Sequence, residues 1–232
     1  MVGFFRRVEK KYILNERQYI LFKNALKEYM VEDEHGVSTI CNIYFDTQQY
    51  ELVQHSITKP VFKDKIRLRS YNIPNLNSKI YLEIKRKYDG VVSKRRIEMN
   101  LKEFYEYMNN KNSIESNQVK KELDYYFKHY ELEPKMFLSY YREAFYGKDD
   151  RDLRITFDNN IIARNYDLNI ENGNYGISIL DKNKYIVEIK TLGAMPMWLV
   201  KVLDELKISP AGFSKYGEAY TQLVLNRYEM VI

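Results

Sequence analysis

The sequence is short of the residues that most often staple, metallate or anchor a protein. It has one cysteine, Cys41, so no internal disulfide can form and a reducing compartment is expected. Its three histidines, His35, His55 and His129, stand far apart without zinc spacing. A divalent cation would therefore be held by carboxylates, which suits magnesium or manganese. No stretch approaches the ~20 apolar residues of a membrane helix. The opening "MVGFFRRVEKKYIL" has an arginine pair but no apolar run behind it, so no secretory signal is expected. A cytoplasmic protein is expected. Repeats and low-complexity tracts are missing too, and residues 1–232 read as a single domain.

What is present is an ordinary globular composition, with 45% hydrophobic and 30% charged residues. The net charge of +5 favours an anionic partner. Strand-like runs recur at 9–14, 39–47, 65–71, 79–87, 91–99, 137–147, 152–158 and 184–191. "YDG" at 88–90 is an Asp-Gly hairpin signal. Such an order predicts antiparallel pairing rather than a parallel α/β sheet. Helices are predicted over 16–30 and 101–109, each behind a capping-box pair (Asn15 with Gln18, Asn100 with Glu103). Further helices are predicted over 118–132, 197–208 and 215–228, with surface loops at 109–118 and 166–183.

Successive side chains on a strand point to opposite faces. In "KDKIRLRSY", Lys65, Arg67 and Arg69 share one face, with Ile66 and Leu68 on the other. In "YLEIKRK", Tyr81, Glu83 and Lys85 oppose Leu82 and Ile84. Lys94, Arg96 and Glu98 oppose Ile97, and Arg154 stands between Leu153 and Ile155. Glu188 and Lys190 oppose Val187 and Ile189, and Glu9 and Lys11 repeat the pattern. Two architectures satisfy this. In one, apolar faces meet in a core and charged faces meet water. In the other, the sheet closes with its charged face inside and amphipathic helices cover the outside. Burying an ion costs several kcal/mol, against a domain stability of about 5–15 kcal/mol. A charged interior must therefore be wet or hold a polyanion. Phosphate suits it, because guanidinium binds phosphate bidentately and lysine adds a compact charge.

The ordered runs "VEKKYIL", "IYFDT", "KIRLRSY", "YLEIKRK", "SKRR", "SYYREAF", "LRITFD", "VEIKT" and "FSKYGEAY" resemble the polyphosphate polymerase domain of the vacuolar transporter chaperone (VTC) family, one of the triphosphate tunnel metalloenzymes. The resemblance runs over residues 6–220. It implies an α+β fold with a closed antiparallel β-barrel, a charged lumen and helices packed outside. Taken residue by residue, it implies catalytic cations at Lys11, Arg67, Arg69, Lys85, Arg142, Arg154 and Lys215. It also implies phosphate contacts from Lys94, Arg96, Tyr140 and Ser214, and a metal-binding Glu188.

The activity so implied is transfer of the γ-phosphate of ATP to a growing polyphosphate chain, with Mn²⁺ or Mg²⁺. The same superfamily includes triphosphatases and some adenylate cyclases, many of which begin with E-x-E-x-K. Here Arg7 occupies the first glutamate's position. A triphosphatase would use the same tunnel with water as nucleophile, oriented by a carboxylate such as Glu83 or Glu98. A non-catalytic polyphosphate-binding module would do without Glu188. The expected partners are ATP and polyphosphate. Nucleic acid is not expected, because aromatics do not interleave with the basic strands as a stacking platform. Any membrane partner would be a separate chain.

Overall fold

The computed structural model describes residues 7–89, 91–109 and 115–226. In chain order the elements are β1 (Arg7–Asn15), α1 (Glu16–Tyr29), β2 (Met30–Asp46), α2 (Glu51–Ile57), β3 (Phe62–Tyr71), β4 (Lys79–Tyr88) and β5 (Val91–Asn100). Then come α3 (Leu101–Met108), α4 (Gln118–His129), β6 (Glu133–Gly147), β7 (Arg154–Arg164), β8 (Ile177–Ser178), β9 (Lys184–Leu192), α5 (Met197–Glu205) and α6 (Lys215–Tyr220). The fold is antiparallel sheet with helices, as the alternation predicts.

The closed barrel is not found. The hydrogen-bonded strand order is β1-β9-β7-β6-β2-β3-β4-β5, with β8 beside β7. Among the described residues β1 and β5 are the two ends of that path, and no pairing joins them. Alternation decides which face of a strand is apolar. Closure depends on whether the first and last strands meet, and no local pattern encodes that.

The backbone divides into two compact units. The first comprises the described residues of 1–38, 140–161 and 180–213. In it β9 pairs with β1 on one side and β7 on the other, so that Lys11 lies opposite Glu188 and Glu188 opposite Thr156. The apolar face carries Tyr12, Leu14, Ile155, Phe157, Val187 and Ile189. Phe22 and Leu26 of α1 and Leu199 and Leu203 of α5 pack against it. Each such buried side chain contributes about 1.5–3 kcal/mol. The expected capping box opens α1: Gln18 N–H donates to Asn15 Oδ1 at 2.8 Å, and Asn15 N–H to Gln18 Oε1 at 3.2 Å.

The second unit comprises the described residues of 39–139, 162–179 and 214–232. Here β2, β3, β4 and β5 follow one another antiparallel. Ile43, Phe45, Ile66, Leu68, Leu82, Ile84 and Ile97 form the apolar face, covered by Phe104 of α3 and by Leu123 and Tyr126 of α4. The box of Asn100 with Glu103 opens α3. Tyr88 pairs with Val91, so β4 and β5 form the expected hairpin, and Asp89 has φ 43°. Gly90 itself lies outside the described residues.

Three local features depart from expectation. The strand read at 39–47 begins earlier, at Met30. The unexpected α2 is started by the buried Asp46, whose carboxylate accepts the backbone N–H groups of Thr47, Leu52 and Val53. The helix expected over 215–228 passes at Thr221 into a π-helical turn, Thr221–Leu225. Residues 227–228, and 110–114 of the expected loop at 109–118, lie outside the described residues. Among the described residues, no helix is long and apolar enough to cross a membrane.

Candidate functional site

On the charged face of the second unit, strand register arranges the side chains in rows. Asn42, Arg69, Tyr81 and Glu98 form one row, and Tyr44, Arg67, Glu83 and Arg96 the next. The third row is Lys65, Lys85 and Lys94, three lysines opposite one another on β3, β4 and β5. Like charges directly opposite one another destabilise a sheet. The row spans two interstrand gaps, about 10 Å at 4.7–4.9 Å each.

The middle row is tied together by Glu83, which is fully buried. Arg67 Nε donates to its Oε2 at 2.8 Å, and Lys94 Nζ lies 2.6 Å from its Oε1. Burial by itself raises the Glu83 carboxyl, but Arg67, Arg69 and Lys94 outweigh burial and hold it down at about 2. Lys94 is pushed below the usual lysine value by burial, which Glu83 only partly offsets. Arg67 also donates to Tyr44 Oη at 3.2 Å. Arg69 donates to Asn42 Oδ1 at 3.0 Å, and Asn42 in turn donates to the Leu138 carbonyl at 3.0 Å. The Arg96 guanidinium lies 4.2 Å from the Tyr81 ring centre. Every expected cation of these strands thus emerges on one face, several of them pre-oriented by neutral partners.

Ser214 and Lys215 belong to the same unit. Ser214 caps α6, accepting Gly217 N–H at 3.2 Å, and also accepts from Lys65 Nζ at 2.9 Å. Lys215 is buried. The next residue, Tyr216, stacks on Tyr44 at 4.5 Å and donates to Asp46 at 2.9 Å, which fixes where α6 begins.

The first unit carries the remaining expected residues. Glu188 is buried and faces Lys11 Nζ at 3.3 Å and Lys190 Nζ at 3.6 Å. Lys11 also donates to the Phe213 carbonyl at 3.1 Å. Arg142 makes a bidentate pair with the fully buried Asp158, at 2.6 and 2.7 Å, and lies 5.2 Å from the Tyr140 ring centre. Burial works against its charge, but Asp158, Tyr140 and Glu188 together hold its proton more firmly than usual. Arg154 is exposed and paired with Asp33 of β2. The structure thus joins Lys11 to Glu188 and Tyr140 to Arg142, and turns Arg154 toward Asp33.

Among the described residues, no three His, Cys, Asp or Glu side chains gather as a metal cage. A single buried carboxylate set among lysines fits a hard cation that takes its other ligands from phosphate oxygens and water. The sequence reading left Lys65 out of the site, although it stands in the same alternation as Arg67 and Arg69. Asn42 and Thr156 were missed as well. Their relevance comes from the residues opposite them on neighbouring strands, which spacing along one strand does not report.

The VTC domain pattern matches residues 6–224. None of the curated proteins matches the sequence. Among solved structures, the chain is similar to a candidate adenylyl cyclase from Hippeastrum that shows a dominant triphosphatase activity. The identity is 17% and the TM-score 0.57, over 94% of this chain and 97% of that one. It is also similar to candidate adenylate cyclases from Vibrio parahaemolyticus (14%, TM-score 0.54, 92% and 97% covered) and Bacillus halodurans (13%, TM-score 0.55, 90% and 94% covered). The fold is common to all of them.

Proposed function

The chain belongs to the VTC domain family, and from that premise we propose that it is an ATP-dependent polyphosphate polymerase working as one domain over residues 1–232. The observation that carries this reading is the row of Lys65, Lys85 and Lys94 across three adjacent strands. An extended polyanion relieves the mutual repulsion of the row, whereas a single phosphate covers only part of it. Arg67, Arg69 and Arg96 share the face and grip the same phosphate chain, with Ser214 and Lys215 as further contacts. In the first unit, Lys11, Tyr140 and Arg142 serve as phosphate contacts, Arg154 joins them by exchanging Asp33 for phosphate, and Glu188 would hold Mn²⁺ or Mg²⁺. Such a cation, when bound, would supply charge neutralisation to the transferring group.

In this reading no protein nucleophile is used. A terminal oxygen of the chain attacks the γ-phosphorus of ATP, the new P–O bond forms, the bond to the β-phosphate oxygen breaks, and ADP leaves. Catalysis is then positioning plus electrostatic stabilisation. A protein in the cytoplasm would draw on ATP there, with any membrane partner a separate chain.

The rival reading is a triphosphatase, favoured by the fold shared with the Hippeastrum protein. Against it, Glu83 is locked between Arg67 and Lys94, and Glu98 is exposed and paired with Lys79. Neither is poised to orient water. The deciding experiment supplies γ-labelled ATP and Mn²⁺ to the protein and to its Glu188→Gln and Lys85→Ala variants, with products resolved on a gel. A ladder of phosphate chains, lost in Glu188→Gln and reduced in Lys85→Ala, supports the polymerase. Orthophosphate alone moves the assignment to the triphosphatase. No turnover with tight polyphosphate binding makes the chain a binding module.

A further inference from the structure

Thr156 is buried, and its hydroxyl has no hydrogen-bond partner. Leaving a buried hydroxyl unpaired is costly and calls for an explanation. Its place in the sheet supplies one. On β7, Thr156 lies directly opposite Glu188 of β9, which brackets the carboxylate between Thr156 and Lys11 of β1. Directly opposed residues on antiparallel strands have Cβ atoms about 4.5–5.5 Å apart, within reach of a hydroxyl and a glutamate carboxylate. Yet the carboxylate oxygens lie toward ammonium groups, Oε1 at 3.3 Å from Lys11 and Oε2 at 3.6 Å from Lys190.

We infer that Thr156 is the positioning residue of the metal site: when Glu188 turns from the two lysines to a divalent cation, the Thr156 hydroxyl donates to its second oxygen and fixes its orientation. The inference rests on the reading of Glu188 as the metal-holding residue. Carboxylates that bind metals are themselves hydrogen-bonded, and loss of such an outer partner typically weakens metal binding about 10–100-fold. The unpaired hydroxyl is then a donor held ready, and the two lysines keep the carboxylate compensated until the cation arrives. Thr156 touches neither cation nor phosphate in this scheme. Its effect passes through Glu188.

The test measures Mn²⁺ binding to the full chain by electron paramagnetic resonance, with a non-hydrolysable ATP analogue present. It compares wild type with Thr156→Val, Thr156→Ser and Glu188→Gln. Valine keeps the shape and removes the hydroxyl, and serine restores it. The expected result is Mn²⁺ affinity lower by about tenfold or more in Thr156→Val, near wild type in Thr156→Ser, and lost in Glu188→Gln. Without metal, Thr156→Val should melt at or above the wild-type temperature, since it removes an unpaired polar group. Wild-type Mn²⁺ affinity in Thr156→Val, with loss in Glu188→Gln, overturns the role of Thr156 and leaves the Glu188 reading standing. Equal weakening by serine and valine overturns it too, because the hydroxyl is then not what matters. Should Thr156→Val weaken binding of tripolyphosphate with the metal chelated away, the hydroxyl serves phosphate and the inference fails. Unchanged Mn²⁺ binding in Glu188→Gln removes the Glu188 reading and this inference with it.

Discussion

The same tripeptide, Glu-Ile-Lys, occurs once in each unit, as Glu83–Lys85 on β4 and Glu188–Lys190 on β9. In both, the isoleucine enters the apolar core and the charged pair takes the opposite face. The two glutamates nevertheless meet different fates. Glu83 lies opposite Arg67 and Arg96, and Arg67 and Lys94 hold it at 2.6–2.8 Å. Glu188 lies opposite Lys11 and Thr156, with ammonium groups at 3.3 and 3.6 Å and an unpaired hydroxyl alongside. The guanidinium and ammonium contacts of Glu83 are short, and the two lysine contacts of Glu188 are longer. Cross-strand neighbours, not the motif, make the difference.

Four experiments break or sharpen that comparison. The largest effect is expected from Glu83→Gln, which leaves the Arg67 and Lys94 charges uncompensated. It should cost about 3–5 kcal/mol in urea denaturation, whereas Glu188→Gln should cost far less. Equal losses would erase the contrast.

Acid titration comes next. The Glu83 carboxyl is lowered in the folded chain to about 2, so its stabilisation is fully present above the unfolded glutamate value. It is lost as pH falls from there through about 2. A shift of this size is worth about 3 kcal/mol, and Glu83→Gln should flatten that part of the stability profile.

Third, Glu188→Gln should lower metal-dependent turnover of ATP about 100-fold, near 2.7 kcal/mol in barrier, with little change in melting temperature. The smallest effect belongs to Lys85→Ala. Thinning the lysine row should weaken tripolyphosphate binding about tenfold, or 1.4 kcal/mol, and leave stability level or slightly raised by relief of repulsion. A clear loss of stability instead would mean that Lys85 serves the fold.

Much of this architecture was legible beforehand. Period-two alternation correctly split β3, β4, β5 and β9 into apolar and charged faces, because burial is imposed one residue at a time along a strand. Both capping boxes were readable for a similar reason, since Asn15 with Gln18 and Asn100 with Glu103 act within one helical turn. Illegible were α2, which depends on Asp46 capping it from a distance, and the unpaired hydroxyl of Thr156.

What the sequence determined by itself was the strand order along the chain, the face on which the cations of β3, β4 and β5 emerge and the family it resembles. All three rest on local spacing or on ordered motifs. Only the tertiary structure decided that among the described residues β1 and β5 end the strand path, that Lys65, Lys85 and Lys94 form one row, and that Glu83 meets Arg67 and Lys94 while Glu188 lies opposite Lys11 and Thr156. Each of these depends on register between strands far apart in sequence, where side chains placed opposite one another set the charge, burial and hydrogen bonding of a residue that its own neighbours along the chain leave open.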